Sequence, residues 1–276
     1  LGSVEKAKEY VRIGDVFQVV ISQRFRQDFQ GDSLDVYRAL RASNPSPYMY
    51  LLNLVDDLGS YAIVGSSPEA LVTVSDARAV MHPIAGSRPR GHDWESDNQL
   101  EGALKQDAKE RAEHLMLLDL GRNDVGRVAE GGSVTVTDSY MVEFYSHVMH
   151  IVSNVVGKLA PGKDAIDALF AGFPAGTVSG APKVRACEII AELEPETRGA
   201  YAGGVGYFSP DGNMDSCIVL RTAVVKDGVM HVQAGAGIVA DSDPAYEQRE
   251  CEAKSGALIA AAKEAIRVAQ EAGFGQ

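Results

Sequence analysis

Long apolar runs are missing from this 276-residue sequence, and cysteine is scarce. No stretch of 18 or more apolar residues occurs, which excludes a membrane-spanning helix. The cysteines are Cys187, Cys217 and Cys251, an odd number with wide spacings. Such spacings predict neither a disulfide framework nor a cysteine metal site, and they favour the reducing cytoplasm as the location.

Positive charge is also in short supply. The chain has 26 Lys and Arg against 38 Asp and Glu, a formal net charge of −12. Because phosphate-bearing partners are met by basic surfaces, this balance argues against nucleic-acid binding and against a peripheral membrane role. The hydrophobic fraction of 45% and the charged fraction of 23% are those of an ordinary globular protein.

The first twelve residues show no targeting segment. Five charged residues within them leave no room for the apolar core of a signal peptide. The chain begins Leu1-Gly2-Ser3 without a methionine, so we expect a fragment or a processed chain.

The pattern of apolar residues predicts an α+β fold. Short runs rich in Val, Ile and Tyr predict strands at 16–24, 48–54, 61–64, 70–74, 79–84, 145–156, 203–208, 217–226 and 229–239. Helical patterns occur at 4–12, 34–43, 99–118, 164–171, 182–193 and 244–270, the last with Asp243 as N-cap and Pro244 at its first position. Hairpin turns are expected at 56–59, 211–213 and 227–228. Grouped strands favour large antiparallel-rich sheets with helices on their outer faces, and we expect one catalytic domain over 1–276.

Two helices each carry a pair of glutamates three residues apart, which places each pair on one helix face. The pairs are Glu110 with Glu113 and Glu247 with Glu250, and both faces continue into apolar residues. Carboxylates beside apolar residues are costly unless neutralised, so the four together are candidates to hold a hard cation such as Mg²⁺. The alternative is two solvated faces, with Glu250 and Lys254 forming a surface ion pair worth about 0.3–0.5 kcal/mol.

Two segments are rich in glycine. Phe-Pro-Ala-Gly-Thr-Val-Ser-Gly-Ala-Pro-Lys at 173–183 runs from a loop into a helix, where free backbone N–H groups attract anions. It is not a Walker A loop, because its last glycine precedes Ala-Pro-Lys. Gln-Ala-Gly-Ala-Gly-Ile at 233–238 places two glycines in a strand, which indicates close approach of another group. Tight packing alone is the alternative for both.

Histidine and arginine supply further candidates. His147 and His150 lie three residues apart in one predicted strand and so face opposite sides. His150 shares its face with apolar residues, which is more typical of a core histidine than of a functional one. Arg88 and Arg90 in the polar stretch 82–98, and Arg221 in a predicted strand, have the forked guanidinium that binds carboxylates. With a divalent cation, such groups suit a small polycarboxylate.

Four longer motifs, in this order, resemble the chorismate-utilising enzymes. They are Pro-Ile-Ala-Gly-Ser-Arg at 83–88, Glu-His-Leu-Met-Leu-Leu-Asp-Leu-Gly-Arg-Asn-Asp at 113–124, the segment 173–183 and the segment 233–242. Within that family the match is to component I, the large subunit, of anthranilate synthase, and it covers about residues 4–262. It implies two sheets packed as a sandwich, and the conversion of chorismate and ammonia to anthranilate and pyruvate in tryptophan biosynthesis.

The resemblance also implies a metal site. The family holds the ring carboxylate of chorismate through Mg²⁺, and its two carboxylate ligands match Glu113 and Glu250. Glu110 and Glu247, one turn earlier, are expected to hold metal-bound waters.

Catalytic and substrate contacts are implied in the same way. The family's catalytic histidine matches His150, and its neighbour in the glycine-rich loop matches Thr177. The matched substrate contacts are Gly86, Ser87, Arg88, Tyr201, Arg221, Gly235, Ala236, Gly237 and Lys254.

Two positions separate the branches of the family. Aminodeoxychorismate synthases have a nucleophilic Lys at the position of Ala85, and isochorismate and salicylate synthases have a water-activating Lys at the position of Gln18. Neither residue present here can do that chemistry. What remains is attack of ammonia on C2, departure of the C4 hydroxyl, and pyruvate loss assisted by His150.

The family's large subunit carries a long N-terminal region before the segment matched here, which completes the fold and part of a tryptophan inhibitor site. Pro47, Tyr48 and Met49 match the retained half of that site. No glutaminase nucleophile motif is present, so ammonia from glutamine requires a separate amidotransferase subunit, component II. Departures from the family pattern are Ser87 for Thr, Phe144 for Arg and Ser255 for Ala.

Two alternatives stay open on the sequence. One is an aminodeoxyisochorismate synthase, which stops before pyruvate loss. The other is a truncated fragment that binds chorismate without turnover.

Overall fold

The computed structural model describes residues 2–145 and 148–273, and it confirms the α+β fold. The helices are α1 (Gly2–Arg12), α2 (Ser33–Ser43), α3 (Trp94–Gln106), α4 (Ala108–Gly126), α5 (Ala165–Gly172), α6 (Gly176–Ser179), α7 (Lys183–Leu193) and α8 (Pro244–Gly273). The strands are β1 (Gln18–Asp28), β2 (Tyr48–Asp56), β3 (Gly59–Ser67), β4 (Thr73–Ser75), β5 (Arg78–Met81), β6 (Ile84–Pro89), β7 (Thr135–Phe144), β8 (Val148–Lys158), β9 (Gly180–Ala181), β10 (Gly204–Phe208), β11 (Met214–Ile218), β12 (Thr222–Lys226) and β13 (Val229–Ile238).

The chain forms two compact units. The first comprises the described residues before 70, Thr177–Val205 and the described residues after 216. The second comprises Ala70–Gly176 and Gly206–Ser216, so two of the four boundaries fall within β10 and β11.

The first unit is built on a six-stranded antiparallel sheet in the order β2-β3-β12-β13-β1-β9. Val19 and Ile21 of β1 pack with α1 and α7, and Val232 of β13 packs with α2 and α8. These strand residues share one face, because Ile21 lies opposite Ala236 and side chains alternate along each strand. The helices therefore cover one face, as predicted, and Gln18 points to the other.

The second unit contains the seven-stranded sheet, in the order β10-β11-β4-β5-β8-β6, with β7 on the other edge of β8. Met149 and Ile151 of β8 pack with Leu104 of α3, and Val155 packs with α4. Because side chains alternate, His150 lies on the face of β8 opposite to α3 and α4.

Three predicted elements are wrong because each is broken within. The helix at 99–118 is two helices, because Asp107 ends α3 and caps α4 by accepting the N–H groups of Lys109 and Glu110. The strand at 217–226 is divided between β11 and β12 at Arg221, whose φ is +46°. The strand at 79–84 is divided between β5 and β6. Strand β7 was not predicted.

The predicted hairpin at 227–228 is confirmed. Asp227 and Gly228 have φ of +51° and +75°, the left-handed conformations of a type I′ turn. Asp76 and Ala77 make a turn of the same kind between β4 and β5, and without glycine it gave no sequence signal. All three cysteines are free thiols. In the part of the chain that the structure describes, no helix combines the length and apolarity that crossing a membrane requires.

Candidate functional site

The two glycines of β13 lie beneath polar side chains of the first unit. A Cβ on Gly235 would stand 2.8 Å from the Tyr201 hydroxyl, and one on Gly237 would stand 2.2 Å from Nε2 of Gln18. The close approach predicted from the sequence is therefore found, and the approaching groups are Tyr201 and Gln18. The Oε1 atom of Gln18 is buried without a hydrogen-bond partner in the described structure, which leaves one acceptor available on this face.

Lys254 connects α8 to the same strand. Its Nζ donates to the Gly235 carbonyl at 2.9 Å and pairs with Oε1 of Glu250 at 2.6 Å. The ion pair considered for a solvated face does form, but its lysine also holds the glycine segment. The predicted substrate contacts Gly235, Ala236, Gly237 and Lys254 thus belong to one local structure.

Glu247 and Glu250 lie side by side on α8. Glu247 is 8% exposed. Burial raises the pKa of Glu247, Ser242 partly opposes that rise, and the neighbouring Glu250 adds to it. Two adjacent carboxylates, of which Glu247 has a raised pKa, are a donor set that a cation would stabilise.

Glu69 is a site residue that the sequence reading missed. Burial raises its pKa to about 7. The Thr177 hydroxyl, Lys254 and Arg221 each lower the pKa and so oppose part of that rise. The Thr177 oxygen is buried and makes no hydrogen bond of ordinary geometry among the described residues. A carboxyl that titrates near neutrality, beside two cations, is suited to proton transfer.

Arg221 occupies the break between β11 and β12. Its φ of +46° is unusual for a residue with a side chain, and its carbonyl accepts the Ser66 N–H at 3.1 Å. Burial lowers the pKa of its guanidinium, and the Glu69 carboxyl opposes that change. Backbone strain at a half-buried arginine beside an acid is typical of functional sites.

The glycine-rich segment 173–183 is closely packed. In the second unit, a Cβ on Gly176 would stand 2.0 Å from Leu120. In the first unit, a Cβ on Gly180 would stand 2.2 Å from the Gln18 carbonyl, and Gly180 has φ of +136°. Tight packing therefore accounts for both glycines, and the anion-binding role stays a prediction.

In the second unit, the motif at 83–88 forms a bulge in β6. Gly86 has φ of +80°, and a Cβ there would press on Ile151 and Glu110. The Ser87 N–H donates to Oε2 of Glu110 at 3.1 Å, and Arg88 pairs with Asp107 and Glu110. Glu110 therefore fixes this turn. Gly86, Ser87 and Arg88 remain predicted substrate contacts, with Arg88 held by two carboxylates.

His150 lies between β6 and β7, opposite Ser87 on one side and Glu143 on the other. Its Nδ1 is 3.3 Å from the Gly86 carbonyl, and its ring meets Tyr145 edge-on at 5.6 Å between centroids. A carbonyl at Nδ1 favours the tautomer with the proton on that nitrogen, which leaves the lone pair on Nε2. His147 lies outside the described residues.

His114, directly after Glu113, is fully buried. Its Nε2 shares a hydrogen bond of 2.7 Å with the Ser153 hydroxyl, which also receives the Tyr140 N–H. Burial lowers the pKa of His114 to about 4. The imidazole is therefore neutral at physiological pH and anchors α4, which carries Glu110 and Glu113, to β8.

The motif predicted to be half of an inhibitor site, a role that stays a prediction, spans the residue before β2 and the first two residues of that strand. Tyr48 packs in one cluster with Tyr50 and Cys217, and Met49 packs in another with α2 and α8. Tyr48 and Met49 therefore face opposite sides of the sheet, and Pro47 is exposed before them.

The glutamates predicted to bind a metal come from both units, Glu110 and Glu113 from the second, Glu247 and Glu250 from the first. Among the described residues no group of three or more His, Cys, Asp or Glu side chains is arranged to hold an ion. The magnesium site stays a prediction.

Known proteins resemble this chain over nearly all of its length. Residues 1–260 match the family model described as chorismate binding enzyme. Anthranilate synthase component 1 of Cereibacter sphaeroides is 58% identical over 99% of this chain and 54% of that protein. The Aquifex aeolicus protein of the same name is 58% identical over 97% of this chain and 53% of its own length. The chain thus spans about half the length of the curated relatives it matches.

Solved structures agree. Anthranilate synthase component I from Streptococcus pneumoniae superposes with a TM-score of 0.85 at 48% identity, covering 93% of this chain and 56% of that chain. A putative 2,3-dihydroxybenzoate-specific isochorismate synthase from Bacillus anthracis gives 0.83 at 27% identity, covering 94% and 70%. The resemblance read from the sequence motifs is confirmed: this chain belongs to the chorismate binding enzyme family.

Proposed function

We propose that this chain is the catalytic part of an anthranilate synthase large subunit, which converts chorismate and ammonia to anthranilate and pyruvate. The observation that carries the proposal is the Glu69 group, a carboxyl with a pKa of about 7 beside Arg221, Lys254 and Thr177. Chorismate is a dicarboxylate, which two cations suit, and its C4 hydroxyl must leave with a proton. The high identity to component 1 proteins supports this choice over other members of the family.

Each proposed residue does one part of the chemistry. Arg221 and Lys254 bind carboxylates of the substrate. Tyr201 and the glycines of β13 form the surface against which the substrate lies. Ammonia attacks C2, and Glu69 in its protonated form gives a proton to the departing C4 oxygen. The Nε2 atom of His150 then takes the C2 proton as the C3–O bond breaks. The enolpyruvyl methylene carbon gains one proton in return, so that the group leaves as pyruvate.

Gln18 supports ammonia rather than water as the nucleophile. Its side chain packs over Gly237 on the proposed substrate face, and its carbonyl oxygen has no partner among the described residues. A neutral amide cannot take a proton from water, but it can accept a hydrogen bond from ammonia.

Magnesium fits the carboxylate residues. Glu250 and Glu113 would hold it, with Glu247 and Glu110 beside them, because carboxylate oxygens are the ligands of a hard cation. Burial raises the pKa of Glu247, whose charged form a cation would stabilise. When bound, the ion supplies positive charge for the ring carboxylate of chorismate. The chain's own contribution is to hold one pair of glutamates on α4 and the other pair on α8.

Ammonia is proposed to come from glutamine through a component II amidotransferase, and the cytoplasm is the proposed location. The three free thiols are compatible with that compartment.

The assay of this function uses the 276-residue chain with chorismate, Mg²⁺ and ammonium at mildly alkaline pH. We expect chorismate consumption with the fluorescence of anthranilate, and loss of both in EDTA. Accumulation of a non-aromatic amino product, detected by mass, would instead assign an aminodeoxyisochorismate synthase. Chorismate binding by calorimetry without any consumption would identify a non-catalytic fragment and overturn the proposal.

The metal assignment predicts a specific change in magnesium dependence. Glu250→Gln and Glu113→Gln should each raise the Mg²⁺ concentration for half-maximal activity at least about 10-fold, because each removes a charged oxygen donor. Activity is measured over a magnesium titration. Glu252→Gln, an exposed change on the same helix as Glu250, is the control and should leave the titration unchanged. Equal curves for all four proteins would remove these glutamates from the metal site.

A further inference from the structure

We infer that Arg198 is a positioning residue that holds three substrate-contacting segments of the first unit in register. The inference rests on the proposed function, because it concerns how Thr177, Gln18 and Tyr201 are placed for chorismate. Nothing in the family motifs considered above assigned a role to Arg198.

All three guanidinium nitrogens of Arg198 donate hydrogen bonds. Its Nη1 donates to the Val178 carbonyl at 2.6 Å, and its Nη2 donates to the Val20 carbonyl at 2.7 Å. Its Nε donates to Oε2 of Glu194 at 2.9 Å, and Nη2 also reaches Oε1 of Glu194 at 2.6 Å. The planar fork of arginine can satisfy these directions together, whereas the single ammonium nitrogen of lysine cannot.

Glu194 completes the arrangement on the acidic side. Its Oε1 accepts both the backbone N–H and the hydroxyl of Ser22 at 2.8 Å. The side chains of Arg198 and Glu194 are only 15% and 5% exposed, so their charges are compensated by each other and by these hydrogen bonds. A buried ion pair whose donors and acceptors are all hydrogen-bonded holds the neighbouring backbone in place more firmly than a surface ion pair does.

Each partner of Arg198 adjoins a residue of the proposed site. Val178 follows Thr177 directly, so the bond to its carbonyl fixes the turn that carries the threonine hydroxyl, a group that lowers the pKa of Glu69. Val20 shares its strand face with Gln18, two residues away. The guanidinium also lies 5.4 Å from the centre of the Tyr201 ring, within range of a cation–π contact.

These contacts predict kinetic effects that a merely structural role of Arg198 would not have. Displacing a catalytic turn by about 1 Å costs on the order of 10²-fold in rate. Arg198 touches no predicted ligand of the substrate except the ring of Tyr201, so its effect must pass through its partners. A change in the orientation of Thr177 would also remove its influence on Glu69, and the pH dependence of turnover would then move.

The experiment compares Arg198→Lys with Arg185→Lys. Arg185 is a matched control in the same unit: it is ion-paired through Nε and Nη2 with Asp15 and lies 5.2 Å from the centre of the Tyr10 ring. Both variants keep the charge, and each loses a forked ion pair and a contact with a tyrosine. Unfolding midpoints, chorismate kcat and KM, and the pH profile of kcat are measured for both and for the unaltered chain.

We expect Arg198→Lys to lower kcat/KM for chorismate about 10- to 100-fold while the variant protein remains fully folded. The alkaline limb of its kcat profile should move to higher pH, because Thr177 no longer holds down the pKa of Glu69. Arg185→Lys should keep the parameters and profile of the unaltered chain. Glu194→Gln, which leaves the two carbonyl bonds of Arg198 in place, should show a smaller change of the same kind.

An Arg198→Lys protein with unchanged KM and pH profile, whose activity falls only with its folded fraction, would overturn the inference. If Arg198→Lys does not fold, an unchanged pH profile and KM in Glu194→Gln would do the same. A lack of turnover in the unaltered chain and in Arg185→Lys would instead count against the proposed function.

Discussion

Glu69→Gln should lower chorismate turnover by about 10²–10⁴-fold, the usual contribution of a general acid. Glutamine keeps the shape of the protonated carboxyl but cannot give up a proton to the departing C4 oxygen. The pKa of Glu69 is about 7, so a substantial protonated fraction exists at neutral pH. The measurement is single-turnover consumption of chorismate, and Glu196→Gln, an exposed change in the same unit, is the control.

Glu69→Gln should also change the pH dependence of the free energy of unfolding, which can be measured without an activity assay. Burial raises the pKa of Glu69 from 4.5 to about 7, so the folded state binds a proton more tightly than the unfolded state between these values. The free energy of unfolding therefore falls as pH rises from about 4.5 to about 7, and then levels off with respect to this group. Glu69→Gln should lack that decline.

Urea unfolding at pH 5 and pH 8 measures the decline directly. The difference in unfolding free energy between the two pH values should be smaller for Glu69→Gln than for the unaltered chain and Glu196→Gln. Equal differences in all three proteins would show that Glu69 is ionised in the folded state at pH 5. Its assignment as proton donor would then fail, whatever the kinetic result.

The elements of this fold with a strong local signal could be predicted from the sequence. The last helix begins at Pro244, and the Asp243 carboxylate accepts the Tyr246 N–H, as its capping position indicated. Gly235 and Gly237 indicated close approach because a strand gains nothing from glycine unless something must pass near its backbone.

Glu69, and the break of the predicted strand at Arg221, could not be predicted from the sequence for a physical reason. Glu69 follows a strand in Ser66-Ser67-Pro68-Glu69, with no periodic partner, and the polar and charged groups that act on its pKa lie more than 100 positions away in the sequence. The left-handed φ of Arg221 is imposed by tertiary structure on a run that otherwise reads as one strand. The helix break at Asp107 could not be predicted for a similar reason. It involves neither Gly nor Pro, and depends on capping hydrogen bonds that other polar residues of the segment could equally have made.

His150→Met should still aminate chorismate but release little anthranilate, and should accumulate the non-aromatic aminodeoxyisochorismate. Pyruvate loss requires a base for the C2 proton, and the Gly86 carbonyl at Nδ1 leaves Nε2 of His150 as the basic nitrogen. Loss of one acid–base group costs about 10²–10⁴-fold in the step it serves, roughly 3–5 kcal/mol of barrier. Amination, which depends on the ammonia, Glu69 and the metal, should be affected far less.

Chromatography with mass detection, run beside anthranilate fluorescence, separates the two steps. His92→Met, an exposed histidine of the same unit, is the control and should make anthranilate at the rate of the unaltered chain. If His150→Met loses chorismate consumption and product formation equally, the histidine acts in amination or in binding. If it makes anthranilate at the unaltered rate, then His150 is a packed histidine of β8, held by Gly86 and Tyr145 for structure alone.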